Sequence, residues 1–109
     1  MFIIVSKYLM PKEYSGLTIF PFVFINDKKL LLNEVFINHE KIHLRQQMEL
    51  LVIPFFVLYF LEFIFRLIFC LNWHKAYRSI SFEKEAYSKE MDFNYLEKRS
   101  LYQFLKYII

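Results

Sequence analysis

Asn38-His39-Glu40-Lys41-Ile42-His43-Leu44-Arg45-Gln46-Gln47 decides how this chain is read. It contains His39-Glu40-x-x-His43, and the spacing carries the chemistry. Residues four apart on a helix lie one above the other on a single face. Two imidazoles placed in this way can both reach one Zn2+ at about 2.0–2.1 Å. Glu40, one position after the first histidine, projects beside the metal. There it can act as general base toward a water whose pKa the metal has lowered to about 7.

The flanks make this stretch helical. Asn33 is an N-cap candidate, and Glu34 sits in the first turn, where the helix dipole favours it. From Glu34 the pattern runs to about Ile53. Val35, His39, Ile42, Gln46 and Glu49 form one stripe, so the histidines adjoin the core face. Pro54 is expected to end or kink this helix.

Upstream, Phe2 to Leu9 and Leu17 to Ile25 are β-branched and aromatic and read as strands. The Pro11 to Gly16 turn would join them as a hairpin. Pro21 inside the second strand predicts an edge or a bulge there. That edge is a candidate for pairing with an extended peptide substrate. The resulting fold class is α+β: a short N-terminal β-hairpin followed by a helical bundle, one domain over residues 1–109.

Composition bounds the function classes. The chain has 57% hydrophobic and 21% aromatic residues, 14 Phe, one Gly and a formal charge of +3. Basic residues are interspersed with acidic ones, which argues against nucleic acid as a partner. Cys70, the single cysteine, allows no internal disulfide and reads as a small core residue. Met1 to Lys7 has no charged leader and too short an apolar run for a signal segment, so a cytoplasmic protein is expected.

Residues 50–71 admit two readings. Seventeen Leu, Ile, Val and Phe favour insertion by about 0.3–0.6 kcal/mol each, and Glu62 and Arg66 oppose it by roughly 3 each. Glu62 and Arg66, four apart, can pair on one helical face. A single span would put the histidines and everything after Leu71 on opposite sides of a core about 30 Å thick. A zinc site using a downstream ligand forbids that. The reading that keeps the site folds residues 54–71 back as a core helix with one face in contact with a membrane surface; a transmembrane helix over 50–71 is the alternative.

Three downstream residues can complete a zinc site: His74, Glu83 and Glu85. His74 falls in the polar break after Leu71, beside Trp73, where a solvated histidine is expected. Glu83 and Glu85 are two apart on a helix expected from Ser81, its cap, to about Lys98, so they face different ways. A capping-box pattern, Ser100 to Gln103, predicts a last short helix to Ile108.

Glu83-Lys84-Glu85-Ala86-Tyr87 resembles the E-x-x-A-D element of gluzincins, the thermolysin-type enzymes. The resemblance implies that Glu83 is the third ligand, with Glu85 as runner-up. Tyr87 stands where that family has a supporting Asp. Asn38 to Leu51 also resembles the antirepressor peptidases of the beta-lactam-sensor type. A closer resemblance, over about positions 7 to 107, is to small uncharacterised bacterial proteins that combine a short β-region, NHExIHLRQQxEL and FExEAY. Together these imply a minimal zincin-like domain. It would hold one Zn2+ on His39, His43 and Glu83, with Glu40 as general base acting on a peptide or protein substrate. Gln46, on the ligand face, is a candidate to hold the third ligand by a hydrogen bond. Tyr77 and Tyr87 are oxyanion candidates, with packing as the alternative for each. Two rival functions stand beside the peptidase: a non-enzymatic membrane-associated or interaction protein, and a zinc-binding pseudopeptidase.

Overall fold

The computed structural model describes residues 2–6 and 16–108. The protein is α+β, a three-stranded sheet followed by helices. The strands are β1 (Phe2–Val5), β2 (Gly16–Ile19) and β3 (Phe22–Ile25), in the order β1-β3-β2. The hairpin differs from the expected one. Residues 17–25 are two strands, with Phe20 and Pro21 in the turn between them, and β2 pairs antiparallel with β3. β1 instead runs parallel to β3, Phe2 opposite Phe22. Pro21 alone marks this turn, in a stretch with none of the Gly, Asn and Asp that otherwise signal one. Pro21 therefore lies in a turn and not in an edge strand. Residues 7–9 of the expected first strand and 11–15 of the expected turn lie outside the described residues.

Asp27 caps a 3-10 turn over Lys28–Leu32. Helix α1 (Glu34–Leu50) follows, with the Asn33 side chain accepting from the Phe36 N–H, as the sequence predicts. Its break is at Leu51, not Pro54. Leu51 has φ 66°, and α2 (Val52–Cys70) starts at once. Pro54 sits in the first turn of α2, where its missing N–H leaves no helical acceptor unpaired. Asn72 caps α3 (Trp73–Ser79), so the polar break is itself a helix start.

The helix expected from Ser81 to Lys98 is two pieces, α4 (Ser81–Lys89) and α5 (Tyr95–Lys98). Ser81 does not cap α4. Its N–H and hydroxyl both donate to the Glu62 carboxylate of α2, at 2.7 Å each. A carboxylate from a neighbouring helix thus satisfies the orphan donor and complements the dipole. The final segment is a 3-10 turn over Gln103–Tyr107, entered through Tyr102 at φ 55° without a capping side chain. The capping box expected from Ser100 to Gln103 is not formed: the turn starts at Gln103 rather than Leu101, and the preceding Tyr102 N–H donates to Glu49.

Three apolar clusters hold these elements. Val23, Ile25 and Leu44 join the sheet to α1. Phe55, Ile80, Phe82 and Phe104 join α2 to α4 and the C-terminal turn. Ile42, Ala86 and Tyr95 join α1 to α4 and α5.

Helix α2 packs one side on the Phe82 cluster through Phe55, Phe56, Tyr59 and Phe63, and among its residues only Phe55 is fully buried. Cys70 is exposed, not a core residue, because it lies on the outward side of α2. The helix is long and apolar enough to cross a membrane by length and composition.

The left-handed φ of Leu51 carries a test. A non-glycine residue there costs about 1–3 kcal/mol, and its side chain is 68% exposed. Leu51→Gly should therefore raise stability by about 1 kcal/mol after the entropy of the added glycine is subtracted. Thermal unfolding would report it as a rise of roughly 4–8 °C.

Candidate metal centre

His39 and His43 stack on the core face of α1, and Glu83 meets them from the first turn of α4. All three are buried. His39 Nε2 and His43 Nε2 are 3.2 Å apart. Glu83 Oε1 lies 3.3 Å from the first and 3.1 Å from the second. A tetrahedral ion with bonds of about 2.0–2.1 Å sets its ligand atoms about 3.3–3.4 Å apart. The triangle therefore has the right size for a metal ion at its apex, and these three residues could hold one.

The outer atoms of each ligand fix its orientation. His39 Nδ1 contacts Glu90 Oε2 at 2.8 Å, and His43 Nδ1 contacts Gln46 Oε1 at 2.9 Å. Gln46 Nε2 donates to Phe82 O and Glu85 Oε1, so its oxygen must be the atom facing His43. Both partners are acceptors, so each Nδ1 donates outward and each Nε2 is left facing the apex. Glu83 Oε2 accepts from the Tyr59 hydroxyl at 2.6 Å, leaving Oε1 for the metal.

Electrostatics follow from this packing. Burial works to lower the His43 pKa, but the adjacent Glu83 carboxylate outweighs it and lifts the value to about 9. Burial likewise works against the Glu83 charge, yet His43 and His39 hold its carboxyl well below the usual range. Burial and then the Glu83 charge push the phenols of Tyr59 and Tyr77 far up, so both keep their protons.

Glu40 is buried beside the triangle on the wall of a cavity of about 470 Å³. The Thr18 hydroxyl donates to Glu40 Oε2. Gly16, the only glycine, lies against the same carboxylate: a Cβ there would meet Glu40 Oε1 at 3.0 Å and the Phe36 ring at 2.6 Å. The opposite wall is aromatic, from Phe55, Phe56, Phe60 and Trp73.

The other candidates of the sequence separate clearly. Glu85, the runner-up ligand, points away from the triangle and is fully buried against Arg99 and Tyr95. Gln46 supports His43 and Glu85, not Glu83, since its position one turn after His43 puts the amide beside that ring. Tyr87 does not replace a supporting Asp. Its ring lies edge-on to His39 at 4.5 Å, and Glu90, one turn further along, takes the Nδ1 instead. Tyr77 lines the cavity, with its hydroxyl 3.3 Å from that of Tyr87. His74 is exposed on α3.

Sequence reasoning missed Thr18, Gln47, Tyr59 and Glu90. Two of these left a trace: Glu90 is seven residues after Glu83 and so on one helical face, and Tyr59, Glu62 and Arg66 form a polar stripe in an apolar helix. Gln47 binds the outer edge of β2, donating to Thr18 O and accepting from the Phe20 N–H, both at 2.6 Å. Those two backbone groups of the edge are thus already paired.

Replacing Gln46 or Glu90 by Ala should weaken metal binding about 10–100-fold, as loss of a ligand's supporting partner does. Competition with a chromophoric chelator would measure it. Arg99→Ala acts differently, leaving Glu85 and Glu49 buried without their cation; it should cost about 3–5 kcal/mol in denaturant unfolding. Compared with family models, curated proteins and solved structures, the chain finds no match.

Proposed function

We propose that this protein is a zinc-dependent peptidase. The carrying observation is the triangle of His39 Nε2, His43 Nε2 and Glu83 Oε1, with edges of 3.1–3.3 Å, beside the buried Glu40 carboxylate. A donor set of two imidazoles and one carboxylate with an open side suits a catalytic zinc. When bound, zinc would polarise a carbonyl oxygen and bring the pKa of a water to about 7.

The chain's own residues then divide the work. Glu40 takes the proton of the attacking water and returns it to the leaving amine. The Thr18 hydroxyl occupies Oε2, so Oε1 is the oxygen left for that transfer. Tyr59 keeps Glu83 on a single oxygen. Tyr77 retains its proton in the cavity and can donate to the oxygen of a peptide carbonyl under attack. The aromatic wall excludes water and receives an apolar side chain of the substrate. An extended peptide would lie along β2 on the Gly16 side, because Gln47 already fills the slot at Thr18 and Phe20.

The experiment is metal content and proteolysis on one set of variants. Wild type and Glu40→Gln should each hold one zinc. Glu83→Gln should lose it, and Glu85→Gln should keep it while losing stability. Wild type should cleave an unfolded protein or a mixed peptide library, and Glu40→Gln should be slower by at least about 10²-fold, the scale of a lost general base. A Glu40→Gln variant of undiminished rate would rule the mechanism out. Zinc without cleavage of any peptide would leave the centre a binding site only.

A further inference from the structure

Helix α2 is built inside out. Its polar side chains point into the domain: Tyr59 to Glu83, Glu62 to Ser81, and Arg66 to the Ile108 carbonyl and Glu62. The opposite side carries Ile53, Val57, Phe60, Leu61, Phe65 and Ile68, each exposed, and Phe69 beyond them is 72% exposed. Between Ile53 and Phe69 no outward residue has a side chain that can donate or accept a hydrogen bond. We propose that this face of α2 seats in the hydrocarbon edge of one membrane leaflet, with the helix axis in the plane of the membrane.

Three observations choose lipid over a protein. A protein–protein interface has a polar rim and about one hydrogen bond per 100–200 Å², and this face offers none. Acyl chains ask for none. Charged side chains on such a helix are expected to turn toward the protein interior, as Glu62 and Arg66 do. At the C-terminal end, exposed Trp73 and Lys75 follow directly, Trp73 packing on Phe63 at 4.8 Å. An aromatic ring and a cation in that place suit the headgroup layer, and a formal charge of +3 suits anionic headgroups.

The fold chooses an in-plane helix over a span. The nineteen residues of α2 measure about 28 Å, enough to cross. But its inner side carries α4 and the C-terminal turn along its middle, held through Ser81 and Ile108. A span would drag the exposed Lys106 of that turn toward the hydrocarbon. A helix in the plane immerses about 5–10 Å of depth, the outer half alone. Phe56 and Phe60 belong both to the shallow groove of this face and to the cavity of the metal centre. The cavity therefore opens at the level of the lipid.

The docking does not depend on the peptidase reading and is tested without substrate. Wild-type protein is mixed with vesicles of phosphatidylcholine and phosphatidylglycerol and floated on a density gradient. It should float, and emission of Trp73, the only tryptophan, should shift to the blue. The triple variant Phe65→Ala, Ile68→Ala, Phe69→Ala keeps helix-forming residues and loses no core packing. Its partition should fall at least about a hundredfold. Met91→Ala, an exposed apolar residue off α2, should change it less than twofold. Depth is read with Leu61→Trp in a Trp73→Phe background. Lipids brominated near the headgroup end of the chain should quench it more than lipids brominated near the terminal methyl. The reverse order would mean a span and overturn the in-plane placement. Protein that stays off vesicles, alone or as a dimer abolished by the triple variant, would overturn lipid as the occupant.

Discussion

The buried Glu85 carboxylate ties the structure together. It accepts from Arg99, from the Tyr95 hydroxyl at 2.8 Å and from the Gln46 amide at 3.0 Å. Those three donors come from the segment after α5, from α5 itself and from α1. An isolated buried carboxylate would cost several kcal/mol, and only complete hydrogen bonding with a cation offsets that. Arg99 in turn reaches Glu49 on α1. One side chain of α4 thus fixes α4 against α1 and draws the C-terminal segment over both. Through Gln46 the same network sets the His43 ring, so the geometry of the centre depends on a contact that no ligand atom makes.

Two carboxylates two residues apart on α4 therefore do opposite jobs. Glu83 faces the histidines and Glu85 faces Arg99, as the helical angle between i and i+2 requires. The position of α4 is pinned at both ends by side chains from elsewhere. Glu62 of α2 satisfies its first turn, and Asn38 of α1 donates to the carbonyls of Lys89, Glu90 and Asp92 at its end. The Asn38 contact also holds Glu90 where it meets His39. Orphan backbone groups at a helix terminus need partners in any fold; here their partners come from the two helices that also supply His39, His43 and Tyr59. Capping and assembly of the centre are one set of interactions.

What could be read in the sequence was local. Helix α1, its Asn33 cap and the stacking of His39 over His43 follow from a period of 3.6 and a capping rule. The opposite facing of Glu83 and Glu85 follows from the same period. The choice between them came from a resemblance, and the structure brings Glu83 to the histidines. Contacts between elements distant in sequence stayed hidden: Thr18 on Glu40, Gln47 on β2, Tyr59 on Glu83. The strand pairing was misread for a related reason. Pro21 is a turn residue within residues 17–25, but which strands then pair, and in what register, is a tertiary property. For α2 the sequence leaves a core helix with one face on a membrane and a span both open; the inward direction of its polar residues, toward Ser81 and Glu83, is set by contacts distant in sequence.

The edge of β2 borders the cavity beside Glu40. An open edge strand invites pairing along its whole length. Gln47 closes part of it: its side-chain amide offers a donor and an acceptor at the spacing of a peptide group and takes both Thr18 O and the Phe20 N–H. Thr18 then has its carbonyl fixed by Gln47 and its hydroxyl on Glu40, so edge and carboxylate move as one body. Gly16, next along, leaves room beside Glu40 where any Cβ would press on Phe36. Among the described residues, the accessible part of the edge is thereby confined to the few that border Glu40. One glutamine and one glycine thus set which backbone groups beside Glu40 stay open.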